Sequence, residues 1–226
     1  MWCIGKMNAE FIAQMEAILD LYSLEANPLS PLVCFDEKSY QLIGHTLSPI
    51  KMKPGQLSKE SEKYVRHGVV QILVAFLPFW GLRFVWVSPT RRAWDFAYFM
   101  KVFIEEFLPT VLPQAKTIRM VCDNLNTHTK ASFYKTFTPA KAWELAQKVH
   151  FHFTPVNASW LNMAEIEIHA LSTQCLDRRM DNQKLVHTEV QQIVKERNDK
   201  KMKVNWQFDI GNAREKFTKS YAKLNS

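Results

Sequence analysis

Apolar residues recur at helical spacing near the start of the chain. Phe11, Ile12, Met15, Ile18, Leu19 and Tyr22 predict an amphipathic helix over residues 9–22, closed by ANPLSP. The next apolar run, LVCFD (32–36), predicts a short buried strand that finishes on Asp36. A Lys/Pro/Ser-rich stretch over 48–63 reads as a basic loop. Two β-rich runs, GVVQILVAFLP (68–78) and GLRFVWVSP (81–89), predict an antiparallel hairpin. A long amphipathic helix over 92–108 leads to a second apolar run, IRMVCD (118–123), which stops on Asp123. Helices over 127–137 and 139–149, a strand HFHFTP (150–155), a strongly periodic helix over 159–180, a charged helix near 182–202 and a basic tail complete the pattern.

Helices between the later strands permit parallel pairing by right-handed crossovers, while the hairpin adds antiparallel strands. The expected architecture is an α/β fold, a five-stranded mixed sheet with helices on both faces. Its expected divisions are a helical lead-in (1–30), a catalytic domain (31–180) and a basic helical C-terminal extension (181–226). In such sheets ligands gather beyond the carboxyl ends of the parallel strands, where the pattern places both Asp36 and Asp123.

Composition narrows the class. The 226 residues, 47% hydrophobic, can bury a sizeable core, and six glycines and ten prolines argue against a disordered chain. Cys3, Cys34, Cys122 and Cys175 form no CxxC pair and no zinc spacing. Cys34 and Cys122, each inside an apolar strand-like run, read as the reduced, buried thiols of a cytoplasmic protein. No apolar stretch is long enough to span a membrane, and the N-terminus lacks the layout of a signal peptide. The net charge is +7, and residues 178–226 carry 12 Lys/Arg against 6 Asp/Glu. That balance suits a polyanionic partner.

Two carboxylates at one sheet rim repel each other unless a cation sits between them, and hard ions such as Mg²⁺ favour such oxygen ligands. A third acid would come from the helix over 159–180, where Glu165 and Glu167 flank the core face almost equally. Helical periodicity does not choose between them. Two acids on neighbouring strands and one on a nearby helix form the carboxylate arrangement of RNase H-like phosphoryl-transfer enzymes, which use two divalent ions.

The segments VCFDEKS, VCDNLNTHT and HFTPVNASWLNMAEIEI resemble the three catalytic blocks of bacterial insertion-sequence DDE transposases of the mariner-like superfamily. YVRHG, RRAWDFAYFM and STQCLDRRM resemble the intervening blocks, so the resemblance covers essentially the whole chain. It implies an RNase H-like fold. It also implies that Asp36, Asp123 and Glu165 bind two Mg²⁺ (or Mn²⁺) ions and are the catalytic residues. The implied activity is hydrolysis of a phosphodiester at each transposon end, followed by attack of the freed 3′-hydroxyl on target DNA. The implied partners are double-stranded DNA and further copies of the chain, as a homodimer or larger assembly, acting at the nucleoid. Such transposases usually carry an N-terminal helix-turn-helix region. This chain opens almost at the catalytic blocks, which points to a separate helix-turn-helix partner protein or a truncated copy. Val156, Asn157 and Ala158 stand where the family usually has a basic residue, a His and a Gly, and 41 residues separate Asp123 from Glu165, more than the commonest spacing.

Asn124 and Asn126 are turn formers or DNA contacts; His128, at the start of the following helix, is a capping residue or a phosphate contact. Arg91, Arg92, Arg178 and Arg179 are candidate phosphate contacts, and Lys51, Lys53, Lys59 and Lys63 would track a DNA backbone without reading bases. The pair His150 and His152 lacks a third soft ligand for zinc. Trp160 is expected to pack beneath the acid-bearing helix. The alternatives are an RNase H-like nuclease that cuts without joining, and an inactive DNA-binding remnant.

Overall fold

A computed structural model describes residues 7–224. Cys3 and the rest of residues 1–6 lie outside the described residues. The strands are β1 (Leu32–His45), β2 (Tyr64–Leu77), β3 (Leu82–Ser88), β4 (Ile118–Cys122) and β5 (Val149–Phe153), in the sheet order β3-β2-β1-β4-β5. The first three form an antiparallel meander, and β4 and β5 add in parallel on the other side of β1. The predicted mixed five-stranded sheet is therefore present.

Side-chain alternation along β1 sorts its residues onto two helical layers. Val33 and Phe35 join Leu73, Ala75 and Leu77 of β2 under α2 (Ala93–Val102), α4 (Lys130–Thr136) and α5 (Pro139–Lys148). The π-turn Phe103–Phe107 carries α2 into α3 (Leu108–Val111). Leu32 and Cys34 face the opposite way, against α1 (Ala9–Ser23) and residues 158–164 at the entry to α6 (Met163–Leu171). Val74 and Ile72 on that face pack with α6 and α7 (Gln183–Asp199). The C-terminal helices α8 (Ile210–Lys216) and α9 (Thr218–Ala222) fold back onto α1, where Arg214 and Tyr221 both bind Glu16. No helix among the described residues is long and apolar enough to cross a membrane.

Two expectations need correction. Asp36 does not end its strand, because β1 runs on to His45 paired with β2. What ends near Asp36 is the pairing with β4, whose last partner pair is Cys34 with Val121. The polar run after Asp36 concealed this continuation, although Tyr40 and Leu42 within it are buried. The far half of the β1–β2 pair slips register between Gln41 and Ile43, and Gly68 at φ +97° takes up the irregularity. Secondly, His128 does not open a helix: α4 begins at Lys130, and His128 belongs to the turn that follows β4.

Candidate active site

The parallel register between β1 and β4 pairs Leu32 with Arg119, Val33 with Met120 and Cys34 with Val121. Carried two residues further, it sets Asp123 beside Asp36. Asp36 lies on the even-numbered face of β1, the face that also carries α6 and its Glu165. The N-terminus of α6 is held in place by Asn162. The Asn162 Oδ1 accepts the Ala164 N–H at 3.1 Å, capping the helix, while its Nδ2 donates to the Phe35 carbonyl at 2.8 Å. The same Nδ2 lies 3.5 Å from Asp36 Oδ2. Tyr22 of α1 adds a hydrogen bond to the Leu161 carbonyl at 2.6 Å. Glu165 thus sits in the first turn of a helix anchored directly to the Asp36 strand.

Asp36 lies within electrostatic range of both Glu165 and Asp123. Burial, reinforced by the charges of Glu165 and Asp123, pushes the Asp36 carboxyl up to about 7, against the stabilising Glu37 N–H bond at 2.7 Å. Asp123 behaves oppositely. His128 Nδ1 lies 2.6 Å from Asp123 Oδ1, and that bond holds the carboxyl below the usual range despite burial. Burial disfavours protonated His128, yet the Asp123 and Glu37 carboxylates outweigh it and raise its pKa to about 9. The second ring nitrogen faces Glu37 Oε2 at 3.5 Å, within ion-pair range but too long for a good hydrogen bond. Arg91 Nη1 closes the series 3.4 Å from Glu37 Oε1.

Glu167, which periodicity could not separate from Glu165, is a structural residue. It is 1% exposed and binds Arg83 through both oxygens, at 3.0 and 3.1 Å, and Arg197 at 2.9 and 3.2 Å. With its charge matched twice over by guanidinium groups, it locks α6 to β3 and α7.

The other predicted residues divide by position. Asn124 is exposed and lines a cleft with Phe11, Phe153 and Asn157, the last in the left-handed region at φ +61°. Asn126, Arg91 and Arg92 are also exposed. His128, at 1% exposure with its ring between Phe35 and Phe96, has no face left for a phosphate. Arg178 and Arg179 do not join the acids. The Arg178 carbonyl accepts from Tyr40, and Arg179 donates to the Ser61 carbonyl at 2.8 Å, which places both along the distal half of the β1–β2 pair. Trp160 packs against Phe208 and Phe217, under the C-terminal helices. Sequence reasoning did not single out Asn162 or Glu37. The N-x-x-E spacing in NMAE was the available signal for the cap, whereas nothing local marks Glu37.

Among the described residues, no three His, Cys, Asp or Glu side chains are gathered into a ready metal-holding group. The donor chemistry nonetheless fits a hard divalent cation: Asp36 is a part-buried carboxyl driven toward protonation first by desolvation and then by its carboxylate neighbours, and a cation relieves that repulsion.

The sheet order, the parallel β1–β4 pair and an acid-bearing helix across β1 define an RNase H-like fold. The chain belongs to the DDE superfamily endonuclease family, whose model matches residues 31–187. Solved structures agree on the fold. The Mos1 mariner paired-end complex with Mn is 15% identical with a TM-score of 0.60, covering 99% of this chain and 65% of its own. The Mos1 paired-end complex with Mg is 16% identical with a TM-score of 0.55, covering 100% and 66%. The Mos1 strand transfer complex is 15% identical with a TM-score of 0.55, covering 100% and 65%. The chain thus spans about two thirds of the length of these proteins. No curated protein sequence matches it.

Proposed function

We propose that this chain is the catalytic domain of a DNA transposase, cutting DNA at transposon ends and joining the freed 3′-hydroxyl to target DNA. The observation that carries the reading is the parallel β1–β4 register, which, continued past the Cys34–Val121 pair, brings Asp36 and Asp123 to one rim, with the Asp36 carboxyl driven up to about 7 by burial and two neighbouring acids. Asp36, Asp123 and Glu165 would hold two Mg²⁺ or Mn²⁺ ions. When bound, such ions lower the pKa of a water or 3′-hydroxyl and neutralise charge on the oxygen leaving phosphorus.

The chain's own residues supply the frame for that chemistry. Asn162 fixes the height of Glu165 against Asp36, and His128 holds one oxygen of Asp123. Arg91, Arg92, Asn124 and Asn126, exposed around the site, are suited to phosphates and sugar edges. Arg178, Arg179 and the lysines of residues 48–63 would contact DNA further out. The +7 charge favours this polyanionic substrate. The similar Mos1 structures are paired-end complexes, and we extend to this chain an assembly of two copies on DNA.

The test uses purified protein, supercoiled plasmid and Mg²⁺ or Mn²⁺. Asp123→Asn is expected to abolish metal-dependent nicking with the fold intact, and nicking at the wild-type rate would reject the assignment. A pre-cleaved end and a target plasmid then separate a transposase from a nuclease, since only the former joins them.

A further inference from the structure

We propose that Glu37 is a positioning residue for the catalytic centre, linking the two aspartates by its backbone on one side and through His128 on the other. The inference rests on the reading of Asp36 and Asp123 as metal ligands. Glu37 follows Asp36 on β1, so strand alternation sends its side chain to the opposite face of the sheet, beneath α2. Its N–H binds Asp36 Oδ1 at 2.7 Å. Its carboxylate faces His128 Nε2 at 3.5 Å, and the other edge of that ring binds Asp123 Oδ1 at 2.6 Å. Arg91 holds the remaining Glu37 oxygen at 3.4 Å.

The surroundings leave the ring no alternative support. Phe35 meets it edge-on with centroids 4.9 Å apart, and Phe96 lies 5.2 Å away, so two sides are apolar. His128 Nε2 is buried without a hydrogen-bond partner, and Glu37 is the polar group it faces. Glu37 itself is nearly buried, at 9% side-chain exposure. A carboxylate placed under apolar rings, with its counter-groups one step from a metal ligand, is the arrangement by which outer residues orient such ligands.

The experiment uses the full chain and Mn²⁺ as the probe. Calorimetry on wild type, Asp123→Asn, Glu37→Ala and Glu37→Gln is paired with thermal melting and with NMR of the His128 imidazole proton in metal-free protein. Glu37→Ala is expected to weaken Mn²⁺ binding about 10-fold or more at unchanged melting temperature, and to broaden or shift the imidazole resonance. Glu37→Gln keeps one acceptor for the ring and is expected to weaken binding only a few-fold. Wild-type affinity in Glu37→Ala overturns the proposal, as does a loss no larger than its unfolded fraction. Should Glu37→Ala not fold, Glu37→Gln decides: wild-type affinity with an unmoved resonance overturns it. Absence of Mn²⁺ heat in wild type, or its persistence in Asp123→Asn, rejects the metal site itself. Heat that is lost in Asp123→Asn and unchanged in Glu37→Ala rejects only the role of Glu37.

Discussion

Replacing Asp36 by asparagine should stabilise the metal-free protein, and the gain should depend on pH. The Asp36 carboxyl titrates at about 7 in the folded chain against 3.8 ordinarily. That displacement corresponds to about 4 kcal/mol of penalty on the ionised native form. A raised acid pKa means that the native state holds a proton the unfolded state has lost between these values. Stability therefore falls as pH rises from 3.8 to about 7, and the penalty is complete above that window. Asparagine keeps the acceptor used by the Glu37 N–H at 2.7 Å but turns an amide toward Asn162 Nδ2, 3.5 Å from the present Oδ2. That contact trims the gain at pH 8 to roughly 2–3 kcal/mol.

The pH dependence of the gain is cleaner than its size, because the amide contact cancels. Between pH 8 and pH 5 the advantage of asparagine should shrink by about 2.7 kcal/mol. In a 226-residue chain that narrows the difference in melting temperature by roughly 5–11 °C. Thermal unfolding of both proteins in chelator at the two pH values measures it. A melting-temperature gap that does not change with pH would refute the premise that Asp36 is held as a strained acid. Adding Mn²⁺ at pH 8 should raise the wild-type melting temperature more than that of the variant.

The two acids of α6 should respond oppositely to neutralisation. Glu165→Gln is expected to shift unfolding free energy by no more than about 0.5 kcal/mol while eliminating metal-dependent plasmid nicking; retained nicking contradicts the role given to it. Glu167→Gln leaves Arg83 and Arg197 buried without their shared counter-charge and should cost about 3–5 kcal/mol in urea unfolding, and a cost below about 1 kcal/mol would show the pair to be weakly coupled. Asn162→Ala removes a helix cap and the partner of the Phe35 carbonyl, a loss of about 2 kcal/mol. Its nicking rate should fall further than the folded fraction does, and proportionate loss would reduce Asn162 to a stabilising role.

How much of this was legible in the sequence depended on whether the deciding partner was local. The strand leading to Asp123 was readable because Ile118, Met120, Val121 and Cys122 are apolar and buried, with only Arg119 interrupting them. The continuation of β1 was not, because Asp36–Lys38 are polar and half-covered and Ser39 is exposed, and only pairing with β2 extends the strand. Glu165 and Glu167 were indistinguishable by helical geometry because their difference lies in Arg83, on β3, and Arg197, on α7. The resemblance to the transposase blocks favoured Glu165 without that information. His128 was misjudged for the same reason: its partners include Glu37, far back in the chain. The C-terminal segment read as basic, yet Trp206, Phe208, Phe217 and Tyr221 pack it against the α1 side of the core.

Glu167 on α6 and Asp36 on β1 show two ways in which this fold surrounds an acid. Glu167 is buried and Asp36 partly so, and both are costly as isolated charges. For Glu167 the protein supplies two guanidinium groups in hydrogen-bonding contact, so the charge is satisfied internally. For Asp36 it supplies one backbone N–H and a distant amide, and places two more carboxylates nearby. A site shaped only by stability would exchange Asp36 for a neutral residue, since the metal-free fold gains by losing the charge. Its retention makes sense if the counter-charge arrives from outside the chain. The charged groups adjoining Asp123, His128 and Arg91, stand on the opposite side of β1, engaged with Glu37. The His128 charge offsets only part of the desolvation and carboxylate repulsion at Asp36, which a divalent cation would relieve further.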